Sequence, residues 1–247
     1  MPRYKLTIEY DGTPYAGWQR QDGPASVQQT LEEAVFKFCG KETELYCAGR
    51  TDAGVHALGQ VAHIDLAKSY PPFTIMQAIN FHMIPHPIVV TEVEEVDDIF
   101  HARFTARKRY YLYRILNRRA RLGIDVNRAW HVSVPLDVAR MQQAANRLLG
   151  THDFTSFRDT ECQAKSPVKT LDHFSIEQLG DEIRLQTHSR SFLHHQVRIM
   201  VGTLMVVGKG DWEPEDITRI LAAKDRKAAG PTAPAEGLFL TRVDYEL

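Results

Sequence analysis

From Tyr4 to Tyr10 the chain alternates, with Tyr4, Leu6, Ile8 and Tyr10 facing one way and Lys5, Thr7 and Glu9 the other. That period of two predicts a half-buried strand, ended by Asp11-Gly12. The period then changes to that of a helix. Ser26 with Gln29 forms a capping box, and Val27, Leu31, Ala34, Val35 and Phe38 recur at helical spacing until Gly40 can close the helix. Strands are predicted over 44–48 and 59–66, a helix over 75–81 stopped by Pro85 and Pro87, and a strand over 88–96.

The later sequence runs through the same order. A strand is predicted over 109–117, and a helix capped by Asp137 carries Val138, Met141, Ala145, Leu148 and Leu149 on one face and ends at Gly150. Strands over 168–178 and 183–189 follow, then helices over about 194–207 and 215–223, and a last strand over 238–245. Each half therefore reads strand–helix–strand–strand–helix–strand, the split βαβ or ferredoxin-like order. The expected architecture is α+β: two similar βαββαβ halves, 1–104 and 105–247, sharing a central antiparallel or mixed sheet with a cleft between them. Such units cover one sheet face with helices and leave the other to a ligand.

Composition narrows the class. The 247 residues are 43% hydrophobic and 25% charged, with a formal net charge of −1. These values exclude a disordered, collagen-like or disulfide-framed chain. No apolar run reaches the ~20 residues of a membrane span. Met1-Pro2-Arg3 passes straight into strand-like sequence, so no signal peptide is expected. Three widely spaced cysteines, Cys39, Cys47 and Cys162, form no Cys-x-x-Cys pair and fit a reducing cytoplasm.

The charge is unevenly spread. Arg103, Arg107, Lys108, Arg109, Arg114, Arg118, Arg119, Arg121 and Arg128 stand against the single Asp125, directly after an acidic run of Glu92, Glu94, Glu95, Asp97 and Asp98. With Tyr110, Tyr111 and Tyr113 interleaved, this strip suits a phosphate backbone and stacked bases. The plainer reading is a solvated strand and loop, although charges that serve only solubility mix their signs.

The densest candidate for chemistry is the run Gly-Arg-Thr-Asp-Ala-Gly-Val-His-Ala over 49–57, between two predicted strands. Its glycines permit unusual backbone angles and close approach of another molecule. Asp52 beside Arg50 can stay ionised while partly shielded, as a nucleophile or base must. An ordinary Asx turn with a surface arginine accounts for the same composition. Other groupings are weaker. His82 and His86 flank Pro85 without a third ligand, and His194 and His195 are expected on different helix faces, so no metal site is expected. Phosphate-cradling glycine loops are absent, leaving nucleotide cofactors without support. Cys47 and Cys162 read as small core residues.

Beyond the loop, several further stretches share an order. They are Tyr10-Asp11-Gly12-Thr13 with Tyr15-Ala16-Gly17-Trp18-Gln19, Ser26-Val27-Gln28, Phe100-His101-Ala102-Arg103-Phe104, Tyr111-x-Tyr113-x-Ile115, Asp153-Phe154-Thr155-Ser156-Phe157, Phe192-Leu193-x-His195-Gln196-Val197-Arg198 and Glu236-Gly237-Leu238-Phe239-Leu240. With these motifs the chain closely resembles the tRNA pseudouridine synthase A family over nearly its whole length. The resemblance implies a pseudouridine synthase fold and an isomerase of tRNA anticodon stem-loops, converting uridine to pseudouridine at positions 38, 39 and 40. It also implies a homodimer with no cofactor or metal.

Carried over residue by residue, the resemblance makes Asp52 the essential aspartate and Arg50 a residue that helps extract the target nucleotide. It sets Tyr111 against the uracil, pairs Arg198 with the aspartate, and makes Leu238 a wall of the base pocket. Tyr111 rather than Tyr110 keeps the family's spacing to Tyr113, Ile115 and Asn117. Arg118, Arg119 and Arg121 are the expected backbone contacts. The chemistry needs base flipping, because a stacked uridine is out of reach. A second class stays open: a non-catalytic RNA-binding protein on a duplicated RRM-like scaffold. It lacks the RNP1 pattern and gives no reason for a carboxylate in an RNA-facing loop. A metal-dependent phosphoesterase using Asp and His is a third reading, which sensitivity to chelators would expose.

Overall fold

The computed structural model describes residues 1–245, and it forms two compact units: Met1–Arg107 together with the chain from Phe239 onward, and Lys108–Leu238. In the first unit, β1 (Arg3–Tyr10) buries Tyr4, Leu6, Ile8 and Tyr10, as the alternation requires. Helix α1 (Val27–Cys39) starts at Ser26, whose Oγ accepts from the Gln29 amide at 3.2 Å, and ends at left-handed Gly40 (φ 70°). The short β2 (Tyr46–Cys47) precedes β3 (His56–Asp65), α2 (Pro72–Met83) and β4 (Ile88–Val96). Only two residues of the expected strand over 44–48 join the sheet.

Strand β1 lies between β4 and β3, antiparallel to both. The far side of β3 takes β2 at His63 and Ala62, and takes the start of the final strand in parallel, Phe239 opposite His56 and Leu240 opposite Ala57. Flanked on both edges, β3 is buried almost throughout. The apolar stripes of α1 (Val27, Leu31, Ala34, Val35) and α2 (Ile75, Ile79, Met83) are buried, and the two helices pack on one another.

The second unit contains β5 (Lys108–Asn117), β6 (Trp130–Val132), α3 (Val138–Asn146), β7 (Gly150–Asp153), β8 (Val168–Leu179), β9 (Glu182–Ser189), α4 (Gln196–Gly208) and α5 (Asp216–Ala223). The chain's last strand, β10 (Leu238–Asp244), begins at the final residue of this unit. Strand β9 pairs antiparallel with β5 and β8, β8 with β7, and β6 runs parallel to β5. Gly150, expected to end a helix, instead opens β7.

Helix α4 is buried nearly all round. Gly202 on α4 lets the chain at 230–233 approach, since a Cβ there would overlap the Pro231 carbonyl. Among the described residues no helix is long and apolar enough to cross a membrane.

Candidate active site

The Asp52 loop leaves β2 and re-enters the sheet at β3, and it is pinned from several directions. Thr51 is buried, and its hydroxyl shares a 2.7 Å hydrogen bond with the Tyr10 hydroxyl. Its carbonyl accepts from the Trp18 amide at 3.0 Å. Gln60, fully buried, donates to the Gly49 carbonyl at 2.7 Å. The Val55 amide donates to the Asp52 carbonyl at 3.1 Å, closing a turn through left-handed Gly54.

Gly17 holds φ 98°, and a Cβ on it would stand 2.7 Å from the Thr51 carbonyl oxygen. The 10–18 segment therefore packs backbone to backbone on this loop. With Thr51 turned inward, Arg50 on one side is exposed and Asp52 on the other is half-buried. Such a carboxylate is fixed by its backbone and still reachable by a substrate.

In the second unit Tyr111 and Tyr113 point to one face of β5 and Tyr110 to the other. Tyr111 meets Phe192 edge-on at 5.2 Å, whereas Tyr110 leans on His188 at 4.7 Å. Tyr113 is fully buried, donates from its hydroxyl to the Pro234 carbonyl at 2.7 Å, and fits its ring against Gly237. Burial pushes its phenol far up, so it stays a protonated donor. Arg198, on the first turn of α4, donates from Nε to the Ala233 carbonyl at 2.8 Å. Leu238 follows Gly237 and is buried. The segment from Ala233 to Leu238 thus lies beside both Tyr113 and Arg198.

Two expectations need correction. Helix α4 starts at Gln196, so His194 and His195 do not occupy different faces of a helix. His195 has left-handed backbone (φ 59°), and the two rings lie 3.9 Å apart. Both face Asp159, with Nδ1 of His195 at 2.7 Å and Nδ1 of His194 at 4.0 Å from its carboxylate oxygens.

The basic strip is also less uniform than its sequence. Arg109 is buried and bonds the Arg190 carbonyl, and Arg114 pairs with Glu182 at 2.7 Å and Asp125 at 3.0 Å. Those two arginines organise the unit itself. Arg119 and Arg121 are exposed on the loop after β5, and Arg118 lies 3.5 Å from Asp181 there.

Sequence reasoning missed the groups that hold the loop: Tyr10, Thr51 and Gln60, together with Gly17. The available signal was Gly12 and Gly17 close after β1, two glycines that flank Pro14 and Tyr15. Phe192 against Tyr111 and the Ala233–Pro234 carbonyls were missed as well.

The loop thus combines an inward, buried Thr51 with a half-buried Asp52 and an exposed Arg50. A family model described as tRNA pseudouridine synthase matches residues 6–105 and 144–246, which places the α+β frame and this loop among the pseudouridine synthases, a class of isomerases. The chain is 59% identical over 245 residues to a tRNA pseudouridine synthase A of Paramagnetospirillum magneticum, covering 99% of this chain and 96% of that protein. It is 57% identical over 246 residues to the protein of that name from Parvibaculum lavamentivorans, with both chains covered completely. A third, from Nitrobacter winogradskyi, is 58% identical over 246 residues, 100% of this chain and 96% of the other. This chain belongs to the tRNA pseudouridine synthase family.

Proposed function

We propose that this protein isomerises uridine to pseudouridine in the anticodon stem-loop of tRNA, at positions 38, 39 and 40, working as a cytoplasmic homodimer. The observation that carries the reading is the half-buried carboxylate of Asp52, fixed by the buried Thr51–Tyr10 and Gln60–Gly49 bonds while Arg50 stays exposed next to it. The reaction breaks N1–C1′, turns the uracil and forms C5–C1′; N1 gains a proton and C5 loses one, so the product is an isomer.

Each residue then has one task. Arg50 occupies the space left by the flipped nucleotide or holds its phosphates, at a flipping cost of a few kcal/mol. Asp52 acts on the sugar, by attack at C1′ or by taking a C2′ proton. Arg198, aimed by the Ala233 carbonyl, supplies the positive charge that favours the reacting carboxylate form. Tyr111 stacks on the uracil and assists loss of the C5 proton. Leu238 and its apolar surroundings keep water from the cleaved intermediate. Arg118, Arg119 and Arg121 meet the RNA backbone.

A pure RNA-binding module leaves the pinned aspartate without a task. The test is mass-spectrometric mapping of pseudouridine in tRNA incubated with the pure protein and, in parallel, with Asp52→Asn. New pseudouridine at 38–40 with the first and none with the second is the expected result. No conversion by the unmodified protein would overturn the reading.

A further inference from the structure

The turn over 101–105 takes no part in the reaction described so far, yet it is held more firmly than a surface connection needs. The Thr105 amide and hydroxyl both donate to the His101 carbonyl, at 3.0 and 2.7 Å. Nδ1 of His101 accepts from the Arg103 and Phe104 amides at 3.1 and 3.4 Å. Nδ1 of His63 accepts from the Ala102 amide at 3.2 Å, and the Tyr245 hydroxyl donates to the Ala102 carbonyl at 2.8 Å. The amides of residues 102–105 and the carbonyls of His101 and Ala102 are thus tied down, while Arg103 and Phe104 are exposed. Phe104 is 72% exposed, and the Arg103 guanidinium lies 5.8 Å from its ring centre.

The position of the turn gives it meaning. Tyr46 stacks on His63 at 5.1 Å and meets His101 at 5.8 Å, so the turn abuts β2. That strand runs on within five residues into Arg50 and Asp52. The Cys47 thiol, one residue after Tyr46, feels the positive charges of both Arg50 and Arg103. Two arginines therefore lie near the start of the Asp52 loop, with a large exposed aromatic ring beside the second. A rigid exposed ring next to a guanidinium offers a base a π-face and its phosphate a cation, and stacking of this kind works on unstacked, single-stranded RNA.

We propose that Phe104 stacks a base of the single-stranded RNA flanking the target nucleotide, and that Arg103 together with Arg50 takes the adjoining phosphates. The turn is then a second contact that fixes the register of the loop strand relative to Asp52. This rests on the RNA-modifying reading above, and the experiment keeps the two apart.

Phe104→Ala, Phe104→Trp and Arg103→Gln, all in the full chain, are compared with the unmodified protein by filter binding of a tRNA anticodon stem-loop across a salt series. Single-turnover conversion at saturating RNA and sedimentation are measured alongside. Phe104→Ala should weaken binding roughly 5- to 150-fold, the range of one lost base stack, with an unchanged salt slope. Phe104→Trp should keep the affinity of the unmodified protein, and its added indole should be quenched by the RNA. Arg103→Gln should lower the slope of log K against log salt by about 0.7.

Unchanged affinity in Phe104→Ala, with melting like that of the unmodified protein, would overturn the proposal. So would a change of assembly state in that variant, which would make the turn an interface between copies. Should Phe104→Ala fail to fold, Phe104→Trp decides alone: affinity kept with quenching supports the stack, and no quenching overturns it. If the unmodified protein converts no uridine but the Phe104 and Arg103 effects on binding remain, the parent reading fails and this contact stands.

Discussion

Arg198 and Ala233 are bonded in both directions: the Ala233 amide donates to the Arg198 carbonyl at 3.0 Å, and Arg198 Nε donates to the Ala233 carbonyl at 2.8 Å. The backbone of one segment thereby fixes both the main chain and the side-chain direction of the other. Lysine has no donor at the Nε position and no planar fork. Arg198→Lys should lower the single-turnover rate on the order of 100-fold, the scale of one lost preorganised donor, while tRNA affinity stays within a factor of two or so. A rate equal to that of the unmodified protein would show that the bond to Ala233 is only structural.

Asp52→Asn should keep the shape of the loop, which is held by bonds through Thr51, Gly49 and backbone groups. It should bind tRNA at least as tightly as the unmodified protein, since one anion near phosphates has gone. Tritium release from 5-tritiated uridine should fall by more than the ~10⁴ of a lost helper base. Substantial release would move the chemistry elsewhere.

Gly17→Ala tests the frame of the loop. The φ of 98° strains any residue with a Cβ, and the added methyl would press on the Thr51 carbonyl. The expected cost is about 2 kcal/mol, seen as a lowering of Tm by roughly 4–8 °C, together with slower conversion at saturating tRNA. Full activity with unchanged melting would mean that the 10–18 segment does not hold the aspartate.

Burial pushes the His63 imidazole down to about 4, and burial with the nearby Arg3 lowers His101 as well. Both rings accept backbone hydrogen bonds through Nδ1, which requires the neutral form. In the unfolded chain these histidines take up protons near pH 6.5, before the folded protein does. Their stabilising contribution is therefore complete above pH 6.5 and declines as pH falls toward 4. Paired carboxylates such as Asp65 begin to add their own loss only below about pH 4.5. Urea unfolding at intervals between pH 7 and 4.5 should show stability falling across that window, and a flat profile would contradict the assignment.

Arg118→Glu with Arg119→Glu should weaken tRNA binding and reduce the salt slope by roughly 0.7–0.9 for each phosphate contact removed, with conversion recovered at saturating RNA. Arg114→Glu should behave differently, lowering thermal stability, because Arg114 bridges Glu182 and Asp125. Equal salt slopes for the double variant and the unmodified protein would remove the loop after β5 from the RNA interface.

What could be read from the sequence follows from how local each signal is. Helix α1 was legible because Ser26 and Gly40 mark its ends within the helix's own sequence. Strand β7 was not, since its half-exposed residues show no alternation and its glycine imitates a helix end. The left-handed turn at His195 carries no composition signal, and it reversed the expected placement of two histidines. Asp52 and Arg50 stood out through neighbouring glycines, but the Tyr10 hydroxyl that braces Thr51 belongs to a strand 41 residues earlier. Contacts over such distances leave no periodic trace in a single chain.

The last strand has a consequence for how the protein comes into being. Phe239 pairs with His56 and lays its ring on that imidazole at 4.6 Å, just where β3 emerges from the Asp52 loop. A ribosome delivers His56 early and Phe239 only after the whole second unit has been made. The edge of β3 that receives Phe239 therefore stays uncovered on a growing or prematurely released polypeptide. Completion of the first unit therefore waits until the second has been made, so copies that stop short of Phe239 lack the finished frame around Asp52.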